Sequence, residues 1–240
     1  MTWLVRVVAL EGVLAAAIAV GAPARPVENA QALRLGQAGA SLCAPSARGQ
    51  LRGDVSGDGE PDLVRVVAES VPVDRCRYWL VAEIGSRRYR AVVPWRFSPV
   101  PAIPWLDALA NVNRYPGADV VVMINSGAAI RSVMVFTYRK ANLVPMRGRS
   151  FAYGPAGLHA AGVDCAPGRR GNVVSTFAER TATGGWDAER QFFETRGDLF
   201  VATRTVKARV KSLSVFHEFD DQPPGLLGSF PSCVVRRVTR

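Results

Sequence analysis

Histidine, lysine and cysteine are scarce in this chain of 240 residues. It has two histidines, three lysines among its 30 basic residues, and four widely spaced cysteines without a CxxC pair. Neither the spacing of the cysteines nor the supply of histidines fits a zinc site. The sequence also lacks a Walker loop, a dinucleotide-binding glycine fingerprint and a G-x-S-x-G element. No familiar nucleotide site or nucleophile is therefore predicted, and we expect a protein that is not an enzyme.

Arginine supplies almost all of the positive charge. The formal net charge is +10, and all but three of the 30 basic residues are arginine. So lopsided a ratio is typical of a GC-rich genome, and no nucleic-acid-binding motif accompanies it, so a nucleic-acid partner is not expected. Arginine clusters at residues 87–90, 169–170 and 236–237 leave one alternative open, a polyanion-binding protein that uses an arginine-rich surface.

The first 24 residues have the pattern of a secretory signal peptide. Arg6 gives a positive start, residues 12–20 form a short apolar run, and Ala-Pro-Ala at 22–24 matches the small-x-small cleavage pattern. No clean apolar run here or elsewhere in the sequence has the length that spans a bilayer. We therefore expect a secreted, extracytoplasmic protein with no transmembrane segment in its mature chain.

The four cysteines predict disulfide bonds, because export places them in an oxidising compartment. Cys43, Cys76, Cys165 and Cys233 can form two bonds in three different ways. Pairing in sequence order closes shorter loops. Cys43–Cys76 and Cys165–Cys233 are therefore the preferred pairs.

Residues 53–62 (GDVSGDGEPD) form the one strong motif. Oxygen side chains of Asp54, Ser56, Asp58 and Asp62 occupy positions 1, 3, 5 and 9 of a tight loop, and the carbonyl of Glu60 stands at position 7. Calcium takes six to eight oxygen ligands, and such a loop can direct them at one centre. An EF-hand would need glutamate at position 12, where this sequence has arginine in a β-branched segment. The motif predicts one calcium site of modest affinity, with an ion-free Asp/Gly-rich turn as the alternative.

This loop resembles the calcium loop of FG-GAP repeats, also called VCBS repeats, of integrin α-chain propellers and many secreted bacterial proteins. Asp54, Asp58, Gly59 and Asp62 match the pattern D-x-[DN]-x-[DN]-G-x-x-D, and Ser56 departs from it. The resemblance implies side-chain ligation of calcium by the three aspartates and Ser56, with Glu60 binding through its backbone. It also implies a propeller-like all-β fold and a binding role.

Two further segments align with residues 54–62 without a gap. Residues 111–119 precede a continuous apolar run at 120–124, and residues 164–172 precede another apolar segment. Asn111, Asn113 and Asp119 leave open a weak ion site in the second segment, although we expect both later loops to be ion-free because few ligands remain. The alignment predicts repeats that start near residues 53, 110 and 163.

Short β-strands are predicted within each repeat, with hairpin turns at 85–86, 140–142 and 196–198. The fold class is all-β, with antiparallel sheets arranged as a propeller or a partial propeller in a domain over residues 51–240, joined by the N-terminal segment 25–50. Three units are fewer than the four blades of ordinary propellers, so residues 25–50 and 209–235 complete a further unit or the sheet stays open. Helical periodicity is weak throughout the chain, except near residues 104–109. The predicted strands cover 62–69, 76–84, 87–95, 119–125, 130–139, 142–147, 172–178, 189–195 and 199–208.

The leading functional hypothesis is a secreted, non-catalytic, calcium-binding β-repeat module. Its partner would be an unidentified ligand in the cell envelope or outside the cell. One alternative is a secreted hydrolase whose site is assembled in three dimensions around His159 or His217. The other is the polyanion-binding protein.

Overall fold

The structure is a computed structural model, and it describes residues 49–71, 75–94, 104–126, 130–219 and 228–237. The predicted signal peptide, most of the N-terminal segment 25–50 and Cys43 lie outside these residues. Within the described ranges, no helix is long and apolar enough to cross a membrane.

The first sheet contains four consecutive antiparallel strands. They are β1 Gln50–Gly53, β2 Asp62–Val71, β3 Arg75–Ile84 and β4 Arg87–Val93, in the order β1-β2-β3-β4. Side chains alternate across them, with Val64 and Val66 of β2 buried and Arg65 between them on the other face. One face of the sheet therefore packs on the core, and the other faces solvent.

The second sheet contains ten strands, and they too pair antiparallel. Its order is β13-β12-β11-β10-β9-β7-β6-β5-β14, with β8 paired to β7. Two single-turn 3-10 helices, Leu213–Val215 and His217–Phe219, follow the last long strand. The strands are β5 Trp105–Ala110, β6 Asp119–Ser126, β7 Arg131–Arg139, β8 Asn142–Pro145, β9 Phe151–Ala156, β10 His159–Cys165, β11 Asn172–Arg180, β12 Trp186–Arg196, β13 Leu199–Val210 and β14 Val234–Arg237.

The same local topology occurs three times. Strands β1–β4, β5–β8 and β10–β13 each form a four-stranded antiparallel meander. In each meander, one of the three aligned nine-residue segments connects the first strand to the second. Strand β7 also pairs with β9, so the second and third meanders belong to one continuous sheet. The three loops consequently occupy equivalent positions in three similar units.

Strand β6 lies between two hydrophobic cores. Val120 and Val122 belong to the core beneath the first sheet, whereas Val121 and Met123 belong to the core around Phe151. These four side chains are completely buried. A strand buried on both faces is a continuous apolar run, as the sequence at 120–124 predicts. Each such side chain contributes about 1.5–3 kcal/mol, which makes β6 the central strand of the fold.

The all-β class, the antiparallel pairing and nine strands are confirmed, with bounds that differ by a few residues. Hairpin turns at 85–86, 140–141 and 197–198 are also where the sequence places them. The helical periodicity near 104–109 is misleading, because Trp105–Ala110 is strand β5. Leu106 and Leu109 face the core beneath the first sheet, whereas Ala108 faces the core around Phe151. A short apolar run with this spacing fits a buried strand and a helix equally well.

The disulfide between Cys165 and Cys233 is confirmed, and it spans a sequence separation of 68 residues. It ties the end of β10 to the segment just before β14. Cys76 is disulfide-bonded as well. Cys43, its predicted partner, lies outside the described residues.

Candidate functional site

The first loop, residues 54–62, is closed by the side chain of its last residue. Asp62 begins β2 and is only 2% exposed. Its Oδ2 atom accepts hydrogen bonds from the backbone N–H groups of Val55 and Ser56, both at 2.8 Å. Hydrogen bonds to an ionised carboxylate are stronger than neutral ones. We call this arrangement, an aspartate at position 9 that accepts from positions 2 and 3, the aspartate clamp.

Two more aspartates of this loop accept hydrogen bonds from backbone amides. The Oδ1 atom of Asp54 accepts from Gly57 at 2.6 Å, and its Oδ2 accepts from Gly59 at 3.1 Å. Asp58 is exposed, and its Oδ1 accepts from Glu60 at 2.8 Å. Such local turns are common for aspartate. They keep the loop tightly coiled.

All five predicted calcium ligands lie in this loop, but their acidic side chains do not form a compact cluster. In the part of the chain that the structure describes, no three Asp, Glu, His or Cys side chains form a group that could hold a metal ion. Asp62 points at the loop amides, whereas Asp58 and Glu60 are exposed. The donor chemistry suits calcium, because Asp54, Ser56 and the other three residues all offer oxygen and carboxylate oxygens can accept more than one partner.

The second loop, residues 111–119, has the same aspartate clamp. Asp119 begins β6, is 2% exposed, and accepts at Oδ2 from the N–H groups of Val112 and Asn113 at 2.9 and 2.8 Å. Its Oδ1 accepts from the Asn113 side-chain amide at 2.5 Å, which also donates to the Thr137 hydroxyl at 2.7 Å. Burial outweighs these contacts and raises the pKa of Asp119 to about 7.

The guanidinium of Arg170 binds to the second loop. Its Nε donates to the carbonyl oxygen of Asn113 at 2.7 Å. Its Nη2 donates to the carbonyl oxygens of Tyr115 and Gly117, both at 2.6 Å, and more weakly to Asn111 Oδ1 at 3.4 Å. These oxygens belong to positions 1, 3, 5 and 7 of the loop. The second loop therefore coordinates a cation, and the chain itself supplies that cation from the third loop.

The third segment, residues 164–172, uses its aspartate differently. Asp164 is fully buried, and its Oδ1 accepts from the N–H groups of Cys165 and Ser232 at 2.7 and 2.8 Å. The Ser232 hydroxyl donates to its Oδ2. Burial raises the pKa of Asp164. This aspartate thus joins the segment to the chain before β14, while Arg170 of the same segment reaches the second loop.

The first and second loops pack directly against each other. The N–H of Ala118 donates to the carbonyl oxygen of Asp54 at 2.7 Å. Gly57 and Gly117 meet at this contact, and a methyl group added to Gly117 would lie 2.7 Å from the Gly57 nitrogen. The three loops consequently form one connected row, with glycines joining the first to the second and Arg170 joining the second to the third.

Neither histidine is hydrogen-bonded to a serine among the described residues. His217 lies near two buried carboxylates, with Nε2 3.9 Å from Asp164 Oδ2 and Nδ1 3.4 Å from Glu218 Oε2. Ser232 donates to Asp164 rather than to an imidazole. His159 stacks on an exposed phenylalanine. A serine hydrolase needs an imidazole that takes the serine proton, so this geometry gives no support to the hydrolase alternative.

Two residues of this site were not predicted from the sequence in the roles that they have. The sequence presents Asp119 only as a remaining member of a weak ligand set, and Arg170 only as part of a surface arginine cluster. An aspartate at position 9 of both loops is a visible signal for the clamp. The role of Arg170 has no such signal, because it depends on how the second and third meanders pack.

The chain was also compared with known proteins. No family model, no curated protein and no solved structure matches it.

Proposed function

We propose that this protein is an exported, non-catalytic β-repeat module whose first loop binds one calcium ion. The second loop carries the proposal, because its oxygens at positions 1, 3, 5 and 7 bind the guanidinium of Arg170. The first loop has the same length, the same aspartate clamp and more acidic side chains. No basic side chain of the described residues is hydrogen-bonded to it, so a cation from solution would offset its carboxylates.

The ion would be held by five oxygen-bearing residues. Asp54, Ser56, Asp58 and Asp62 would bind through their side chains, and Glu60 through its carbonyl. Calcium would supply positive charge that offsets the repulsion among the carboxylates and stabilises the connection between β1 and β2. Since the serine ligand is neutral, we expect modest affinity.

The recurring topology supports descent from one repeated unit of the FG-GAP or VCBS kind. Three meanders have the loop in the same place, and two of the loops share the aspartate clamp. We propose a partial propeller-like arrangement, in which the first meander is a separate sheet and β9 joins the second meander to the third.

Export is proposed from two independent features. The first 24 residues have the signal-peptide pattern, and the Cys165–Cys233 disulfide is typical of oxidising compartments. Outside the cytoplasm, a loop stiffened by calcium would hold the module rigid while its exposed faces bind a partner in the cell envelope or beyond it.

Thermal unfolding of the purified protein tests calcium binding. At free calcium of about 100 times the dissociation constant, linkage adds about 2.7 kcal/mol of stability. For a domain of this size the melting temperature should then rise by roughly 5–10 °C. Asp58→Ala should remove the rise, because Asp58 is a predicted ligand that makes only one local hydrogen bond.

The matched control is Glu179→Ala, which removes an exposed acid of β11 outside the loops and should keep the full response. A melting temperature that is the same in chelator and in about 10 mM calcium would overturn the proposal, since the weakest extracellular calcium modules have dissociation constants near 10⁻³ M.

A further inference from the structure

The solvent face of the first sheet carries a group of arginines around one tryptophan. Strands β1 to β4 turn alternate residues outward, and the strand register places Arg65, Val81 and Arg90 side by side in one row across β2, β3 and β4. We call this surface the outer arginine face. Its charged residues are Arg52, Arg65, Glu69, Arg77, Glu83, Arg88 and Arg90.

Trp79 organises the centre of the outer arginine face. The Arg90 guanidinium lies 4.5 Å from the centroid of its ring and the Arg77 guanidinium 5.8 Å from it. The indole Nε1 donates to Glu69 at 2.6 Å, which fixes the ring on the sheet. Cation–π contact favours these positions of the two guanidinium groups, so less of their freedom is lost when they bind an anion.

The face has more positive charge than its own acids can pair. Glu83 accepts hydrogen bonds from both Arg65 and Arg88, at 2.6 and 2.9 Å. Arg52, Arg77 and Arg90 are exposed, and none of the three forms an ion pair within the described ranges. Five arginines stand against two glutamates, which leaves a surplus of three positive charges.

The three arginine clusters seen in the sequence do not build this surface together. Arg170 lies in the third loop and is already hydrogen-bonded to the second loop. Cluster 87–90 is divided between two faces, because Arg88 and Arg90 point outward whereas Arg87 alternates with them and lies on the same side of β4 as Tyr89, which packs against the core. The outer arginine face is instead assembled from four different strands, which sequence proximity does not show.

We propose that the outer arginine face binds a linear acidic polysaccharide through its carboxylate or sulfate groups. Guanidinium groups donate two parallel hydrogen bonds to such anions. Outward residues lie about 6.8 Å apart along a strand and about 4.8 Å apart between strands, so the cations form a flat array rather than a groove. Val92, which is 50% exposed beside Trp79, adds apolar surface for the C–H faces of sugar rings.

The position of Arg90 argues for a polysaccharide rather than a nucleic acid. Proteins that bind single strands stack bases on open aromatic rings. Here the ring of Trp79 is in contact with a guanidinium. The proposal names a partner class for the proposed module, but the binding itself does not depend on the calcium loop.

The test is titration of the purified protein with heparin, which is sulfated, and with polygalacturonate, which is carboxylated. Binding should weaken steeply as salt is added. Combined substitution Arg77→Ser and Arg90→Ser should weaken it about tenfold, as two exposed charge contacts of ordinary strength predict. Arg52 contacts no aromatic ring, and Arg52→Ser should weaken binding about threefold. This variant serves as the test if the double substitution disturbs the sheet.

The matched control is Arg169→Ser with Arg204→Ser, which removes the same charge from exposed residues of the third meander and should leave binding unchanged. Equal weakening by the control pair would overturn the proposal, as would tighter binding of DNA or of anionic lipid vesicles than of either polysaccharide. So would a lack of binding at about 20 mM salt, where screening is weak. Repeating the titration in chelator separates the two proposals, since polysaccharide binding should persist there.

Discussion

Asp62 and Asp119 hold equivalent places in two neighbouring loops and make the same contacts. The Oδ2 atom of each accepts hydrogen bonds from the N–H groups of the second and third residues of its own loop. The second residue is a buried valine in both loops, Val55 and Val112. The clamp therefore sets the loop conformation from within the chain. What differs between the loops is the cation, which Arg170 supplies to the second.

Gly117→Ala should destabilise the protein much more than Gly59→Ala. Both glycines have positive φ, +83° and +92°, so either substitution costs about 1–2 kcal/mol in backbone strain. A methyl group at Gly117 would also collide with the Val55 carbonyl oxygen, whereas one at Gly59 meets nothing within 4 Å. We expect a loss of at least about 3 kcal/mol for Gly117→Ala, measured by urea unfolding. Equal losses would contradict the close packing of the two loops.

Arg170→Ala should destabilise the protein by about 1–2 kcal/mol, because the second loop loses its cation and the carbonyl oxygens lose their donors. The loss is limited because the site is at the surface, where water can replace part of the contacts. Arg169→Ala is the matched control. Arg169 is equally exposed, and its substitution should change the free energy of unfolding by less than about 0.5 kcal/mol. The same loss in both variants would show that net charge, rather than the loop contact, is responsible.

Two ion pairs of similar geometry should have very different energies. Arg190 binds Glu218 through Nε and Nη2 at 2.8 and 2.9 Å, and the Glu218 side chain is completely buried. Arg209 binds Asp187 in the same two-pronged way at 2.7 and 2.9 Å, but the two side chains are 74% and 52% exposed. Arg190→Ala should cost about 3–5 kcal/mol, because it removes the arginine partner of a buried carboxylate. Arg209→Ala should cost far less, because exposed ion pairs contribute little to stability.

Denaturant unfolding of these two variants gives the comparison directly. Comparable losses would contradict the expectation that burial makes the loss of the Arg190 ion pair more costly. The result also bears on the C-terminal segment, since Glu218 lies in the 3-10 turn His217–Phe219 and the ion pair anchors that turn to β12.

Local patterns predict most of the hairpins, and distant pairing accounts for what they miss. Alternation and turn residues mark β2 to β4 because each of these strands pairs with its sequence neighbour. Strand β14 pairs with β5 across more than a hundred residues, and β7 pairs with β9 past the short β8, so no local signal indicates either contact. Strand β5 is not predicted from the sequence, because its apolar residues supply two cores and their spacing also fits a short helix.

The candidate site was predictable in part for a similar reason. Loop length and the aspartates at positions 1 and 9 can be read from residues 54–62, since they act within one loop. Arg170 and the contact between Gly57 and Gly117 join different loops. Such contacts depend on how the meanders pack, and that packing follows from the two hydrophobic cores rather than from the loops.

Asp119 should make stability fall as pH rises from about 4 to about 7. Burial raises its pKa from 3.8 to about 7, so in this interval the folded state keeps a proton that the unfolded chain has lost. The stabilisation that the protonated Asp119 contributes is fully present below about pH 4, and it is lost as pH rises through the pKa of the folded state. Its upper limit is on the order of 4 kcal/mol. Urea unfolding at several pH values, on the native protein and on Asp119→Asn, measures the slope. The variant should be less stable than the native protein at low pH, but its free energy of unfolding should fall less steeply with pH. The slope that remains comes from Asp164, whose pKa is also raised. A slope that the substitution leaves unchanged would show that Asp119 is ionised in the folded protein and that its three hydrogen bonds outweigh burial.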